Sequence, residues 1–184
     1  SKINFSISKT QNFMKFYKQM TSKSFFNWKN DFWIKKNGKN IEIKYATNGT
    51  TLGIKGGRTV HEYWPKFKSV AVNVSIDGLH DTYEYIRGNG KFSDVEYNIK
   101  EMKKIPSVSR IVGAFTVQAN NILQIDKVID YFLRDMEIVF YSHRVNYPRA
   151  LSAQVLPEKL KQEVVVKLES MKVKVKDLSL IHIW

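Results

Sequence analysis

The sequence contains no cysteine. That excludes disulfides, zinc fingers, cysteine nucleophiles and any iron-sulfur cluster held by thiolates of these 184 residues. It also lacks any apolar run approaching the ~18 residues that a membrane span needs, and its opening Ser1-Lys2-Ile3-Asn4 has no apolar core of a signal peptide. The expectation is a soluble, cytoplasmic chain. Internal repeats and low-complexity tracts are missing as well. Acidic residues are scarce at one end: residues 1–70 hold 14 Lys and Arg against 3 Asp and Glu, whereas the remainder is nearly balanced at 16 against 14. The formal charge of +13 is therefore concentrated in the first third of the chain.

What is present suits one folded unit. Apolar residues make up 43% and aromatics 13%, enough to bury the core of a single domain. Four β-type runs, Ile41 to Ala46, Ser69 to Val74, Arg110 to Val117 and Glu137 to Tyr141, alternate with helix-type stretches. Phe92, Val95, Ile99 and Met102 recur at spacings of three and four, as one apolar stripe of a helix over Lys91 to Lys104. Ile122, Ile125, Val128, Ile129 and Phe132 repeat the pattern, and Pro157 opens a last helix with Leu160, Val164 and Leu168 on one face. Alternation of this kind is the mark of βα units with parallel strands and right-handed crossovers. The fold class expected is α/β, with about four parallel strands. A closed (β/α)₈ barrel takes ~250 residues, so the choice lies between a small open sheet and part of a barrel, and part of a barrel is preferred.

The ends stand apart. Residues 1–40 read as a basic, aromatic segment of helical type, with Phe13, Met14, Phe16, Tyr17 and Met20 at helical spacing. Asn37-Gly38, between two apolar runs, instead signals a hairpin. The closing Leu178 to Ile183 looks like the translation of an adapter used in DNA library preparation and is set aside with Trp184, the alternative being a terminal strand. With a start that is not methionine, this suggests a piece of a longer protein.

In parallel α/β folds, ligands bind where strands end and polar loops converge. Thr47-Asn48-Gly49-Thr50, Ser75-Ile76-Asp77-Gly78, Gln118-Ala119-Asn120-Asn121 and Ser142-His143-Arg144-Val145-Asn146 follow the four strands. Each is also ordinary turn chemistry on its own. For Asp77 a turn or helix cap is the preferred reading, and for His143 a solvated loop position.

Taken together, Tyr45-Ala-Thr-Asn-Gly-Thr, Val72-Asn-Val-Ser-Ile-Asp-Gly and Tyr85-Ile-Arg-Gly-Asn-Gly-Lys-Phe, with Asn98-Ile99 a helix later, form a more specific pattern. Thr116-Val117 with Asn120-Asn121, and Val145 with Pro148, extend it. This pattern resembles the second half of a radical S-adenosylmethionine (SAM) barrel, closest to the radical SAM proteins with a twitch-type auxiliary domain, over roughly residues 40–170 (domain expectation 41–171). The resemblance implies a SAM-binding enzyme whose [4Fe-4S] cluster cleaves the cofactor's C5′–S bond, giving a 5′-deoxyadenosyl radical that takes hydrogen from an unidentified substrate. It places Ser75 and Arg87 against the SAM carboxylate, suited by a forked, charge-assisted guanidinium and a hydroxyl. It puts Thr47 and Asn48 along the cofactor cleft and Asn120 near the ribose. Without the family pattern, Arg87 reads as a cation at a helix C-terminus. The family's three cluster cysteines and its Gly-Gly-Glu motif are missing, and Gly56-Gly57-Arg58 lies in the wrong place to replace the latter. A cluster would need ligands from elsewhere in a longer parent, and the 184-residue chain alone is expected to be catalytically silent. Two other classes remain open. Nine lysines and nine aromatics interleaved in the first 40 residues suit a single-stranded nucleic-acid binder, or equally a core with a solvated face. The third is a cysteine-free barrel serving as a scaffold.

Overall fold

The computed structural model describes residues 2–5, 37–54, 57–88 and 90–176. Its centre is a five-stranded sheet in the order β1-β2-β5-β6-β7. The strands are β1 (Lys2–Phe5), β2 (Glu42–Thr47), β5 (Ser69–Ser75), β6 (Val108–Val117) and β7 (Val139–Arg144), and a separate two-stranded ribbon joins β3 (Gly53–Ile54) to β4 (Arg58–Thr59). β2, β5, β6 and β7 are mutually parallel, as the alternating pattern requires, and β1 lies antiparallel along the outer edge of β2. The class is α/β with a four-stranded parallel sheet at its centre.

Helices α1 (Val60–Tyr63), α2 (His80–Arg87), α3 (Phe92–Lys103), α4 (Ile125–Asp130) and α5 (Glu158–Lys176) fill the connections and the C-terminal side. α4 continues as a π-helical turn over Tyr131–Asp135. The parallel strands follow chain order across the sheet, and right-handed crossovers then put the connecting helices on one face. Burial follows that rule. Val70, Val72 and Val74 of β5 are fully covered, while Ser69, Ala71, Asn73 and Ser75 between them are half-exposed. In register beside them, Ile43 pairs with Val70 and Tyr45 with Val72 on the helix-covered face. Ile111, Phe115, Val117 and Phe140 continue that face into the same apolar core. The opposite face carries Asn73, Ser75, Thr116, Tyr141 and His143.

Several boundaries differ from the sequence expectation. Asn37-Gly38 does not turn a hairpin among the described residues: Gly38–Asn40 is a single 3₁₀ turn, closed by Ile41 N–H on the Gly38 carbonyl at 2.9 Å, that feeds β2. Of the segment 1–40 expected to be helical, Lys2–Phe5 is instead an edge strand, its four residues registered against Ile43 to Ala46. The helical spacing from Phe13 to Met20, the run Phe32 to Ile34 and the tail Leu178 to Trp184 lie outside the described residues. β7 starts two residues later than expected and runs to Arg144.

A candidate site at the carboxyl ends of the strands

The loop after β2 is tied down from within. Thr47 ends the strand beside Val74 on the helix-covered side, and its Oγ1 accepts the Gly49 N–H at 3.1 Å. Asn48 Oδ1 accepts both the N–H and the hydroxyl of Thr50, at 3.3 and 3.0 Å. Gly49 turns at φ +75°, and a Cβ there would lie 2.7 Å from Val74 Cγ1. Only glycine takes both the left-handed backbone and that close approach. From α3 the buried Asn98 donates Nδ2 to the Gly49 carbonyl at 2.8 Å. Asn98 thus fixes the loop that the Thr-Asn-Gly pattern marks. Asn48 is exposed, and Thr47 is buried beneath the loop.

The ends of β5 and β6 are joined by a denser network. Asp77, with its side chain 8% exposed, accepts the Thr116 N–H at Oδ1 (2.9 Å) and pairs through Oδ2 with Arg87 Nη2 at 2.6 Å. It is therefore neither a turn former nor a helix cap, since the residue preceding α2 is Leu79. Its carboxylate reaches across the sheet to the neighbouring strand and to the last residue of α2. Asn121, 1% exposed, completes the clasp: Nδ2 donates to the carbonyls of Asp77 (2.9 Å) and Thr116 (2.8 Å), and Oδ1 accepts the Gln118 N–H at 2.9 Å. Asn120, the member of the pair expected to reach a ribose, is exposed one residue away.

Ser75 ends β5 on the open face in register with Ala114, two residues before Asp77. On the same face, Thr116 Oγ1 lies 3.1 Å from His143 Nε2, and the His143 ring stacks on Tyr141 at 6.4 Å between centroids. His143 is thus a strand residue with a defined partner. Hydrogen bonds and one ion pair link Asp77, Arg87, Thr116, Asn121 and His143 at the carboxyl rim, with Ser75 two residues before Asp77 on the open face, whereas Thr47 and Asn48 serve the neighbouring β2 loop. The sequence reading missed Asn121 and underrated Asp77 and Thr116. The doublet Asn120-Asn121 ahead of an apolar stripe was the available signal, because asparagine ahead of a helical turn so often binds backbone N–H groups.

Two buried polar atoms around Arg87 have no partner among the described residues: its own Nε and the hydroxyl of Tyr83 one helical turn earlier. Tyr83 packs edge-on against Phe92 of α3 at 5.8 Å. Burial raises its phenol pKa, only partly offset by the Arg87 charge. Buried donors without acceptors are rare in folded proteins and call for a bound water, an ion or a ligand.

Among the described residues no three His, Asp or Glu side chains cluster as metal ligands. No helix among them is long and apolar enough to cross a membrane. The stretch of lysines and aromatics behind the nucleic-acid alternative falls largely in residues 6–36, outside the described residues. No family model and no curated protein matches the chain.

Proposed function

We propose that the carboxyl rim of this sheet is one wall of a SAM cleft of the radical SAM type, in which Arg87 and Ser75 meet the methionyl carboxylate of the cofactor. The observation that carries the reading is Arg87 itself: a guanidinium at the end of α2, held by Asp77 next to the ends of β5 and β6, with 29% of the side chain still exposed and open to a ligand. A ligand carboxylate is the acceptor such a group suits, because charge-assisted bonds to guanidinium are short, strong and directional. Ser75 and Thr116 supply hydroxyls on the open face at the carboxyl ends of β5 and β6, and His143 a ring nitrogen. Strand order equal to chain order, with helices on one face, is what a barrel wall needs, its open face being the lumen side.

SAM, when bound, brings an activated sulfonium and an adenosyl group; the part assigned to this chain is to hold the amino-acid end. A [4Fe-4S] cluster does not fit here, since the chain has no thiolate to ligate it, and no cluster-dependent step is assigned to it. Titration calorimetry with SAM tests the reading. Measurable affinity, weakened ~10-fold or more by Arg87→Ala through loss of a charge-assisted contact, is expected; absence of binding at millimolar SAM refutes it. Anaerobic reconstitution with iron and sulfide is expected to give no 5′-deoxyadenosine from this chain.

A further inference from the structure

We infer that Asp77 is a positioning residue, which pre-aims the Arg87 guanidinium for the carboxylate of an amino-acid-type ligand; the inference rests on the SAM reading above. Arg87 is the last residue of α2, and the chain turns away immediately after it at Gly88, φ +70°. A long side chain in that position is free to sweep solvent, and ordering it costs rotamer entropy. Asp77 removes that freedom before any ligand arrives. Its own orientation is set twice, by the Thr116 N–H on Oδ1 and by Asn121 on its carbonyl, so that Oδ2 is the oxygen left for Arg87. The ion pair is made through Nη2 while 29% of the side chain stays exposed, and the buried Nε–H has no acceptor among the described residues. The guanidinium is therefore fixed but not saturated, which is the state that reduces the entropic cost of binding.

An opposing effect has to be separated out. Asp77 is an anion near an anionic ligand group and repels it through space. At 0.5 M salt the screening length is ~4 Å, so exposed long-range repulsion is damped while the direct hydrogen bonds persist. The informative variant is Asp77→Asn, whose amide oxygen still accepts the Thr116 N–H but whose charge is gone. Asp77→Glu, which keeps the charge and displaces it by one methylene, carries the same test if the asparagine variant does not fold.

Binding of SAM and of decarboxylated SAM, which lacks the carboxylate, is measured at 0.5 M salt for the unsubstituted chain, Asp77→Asn, Asp77→Glu, Arg87→Ala and the Asp77→Asn/Arg87→Ala double variant. Each Asp77 substitution is expected to weaken SAM ~10-fold while leaving the decarboxylated ligand within ~2-fold. In the Arg87→Ala background the Asp77 change is expected to have no further effect. By ¹⁵N NMR the Arg87 Nε–H is expected to exchange slowly in the unsubstituted chain and rapidly in Asp77→Asn. Equal weakening of both ligands, tighter SAM binding in the variants, or a rapidly exchanging Arg87 Nε–H in the unsubstituted chain overturns the positioning role alone. No SAM binding by the unsubstituted chain overturns the cofactor reading and this inference with it.

Discussion

Replacing Asn121 by alanine is the sharpest structural test of the clasp. The side chain is 1% exposed and makes three hydrogen bonds, two from Nδ2 to the carbonyls of Asp77 and Thr116 and one at Oδ1 from Gln118 N–H. Each contributes ~1 kcal/mol net, and a buried polar group stripped of its partner costs a further ~1–3 kcal/mol. Carbonyls retain a second lone pair, so the Gln118 N–H is the group left most exposed to that penalty. The expected loss is ~4–6 kcal/mol, a large part of the ~5–15 kcal/mol by which domains are stable. For a chain of this length that lowers Tm by ~8–24 °C. Urea unfolding followed by circular dichroism reads the loss as a lower midpoint at unchanged slope. Hydrogen exchange at Gln118 and Thr116 is expected to accelerate most, because their N–H groups are held by Asn121 and by Asp77. Asn121→Asp is expected to be worse than alanine, since it turns a donor facing two carbonyl oxygens into a third acceptor and buries a charge without a counterion. A loss below ~1 kcal/mol for alanine, or an aspartate variant more stable than the alanine one, refutes the assigned hydrogen-bond directions.

Two further perturbations read other parts of the same frame. Gly49→Ala forces a Cβ to within 2.7 Å of Val74 Cγ1 at φ +75°, whereas Gly57 has a similar φ of +74° and, among the described residues, open space around it; urea unfolding is expected to show a loss of ~1 kcal/mol at Gly57 from backbone strain alone and ~1–3 kcal/mol more at Gly49 from overpacking. Tyr83, with its pKa raised by burial, stays protonated in the folded chain where the unfolded chain ionises. Its contribution is therefore complete below pH ~10 and lost as pH rises above it. Tyr83→Phe removes a hydroxyl that has no partner among the described residues, so thermal melts are expected to show unchanged or higher stability at pH 7 and a smaller decline between pH 10 and 11.

The parts of the fold visible in the sequence are those set by local periodicity. β5 alternates Val70, Val72 and Val74 with smaller or polar residues, and its start and buried face follow from that pattern, the strand ending one residue later than expected at Ser75. α3 is likewise legible from Phe92, Val95, Ile99 and Met102, all of which are buried. β1 was not legible, because an edge strand of four residues has too few positions to show a period. The π-helical turn at Tyr131–Asp135 was hidden for a related reason: its apolar residues read as a plain continuation of the α4 stripe. The clasp was hidden because its bonds span long stretches of chain, 39 residues from Asp77 to Thr116 and 44 from Asp77 to Asn121. No dipeptide at either end reveals that the other exists. Local turn chemistry offered an adequate account of Asp77-Gly78, and only the strand order, which sets β5 beside β6, makes the longer reach available.

The strand order also separates the polar residues of the rim into two groups with different work. Asp77, Asn98 and Asn121 are buried, and each bonds backbone groups belonging to another element. They hold loops in place, and removing any of them is a loss of shape before it is a loss of contact. Ser75, Thr116 and His143 stand on the open face, where alternation along parallel strands delivers every second side chain to the same surface. A parallel sheet normally has both faces covered, and its strands read as apolar on both. Here one face is apolar and the other is mixed, with Val112, Ala114 and Val139 along it and hydroxyl, amide and imidazole groups toward the carboxyl rim. Nor does the basic composition explain the rim. The excess of lysine lies mainly before residue 70, and the Arg87 charge is already balanced by Asp77. What the rim presents is a set of placed hydrogen-bonding groups at the ends of parallel strands, with Arg87 paired to Asp77 and Arg144 exposed at the end of β7. On the SAM reading proposed above, such directional groups serve a small polar molecule better than a polyanion held by charge alone.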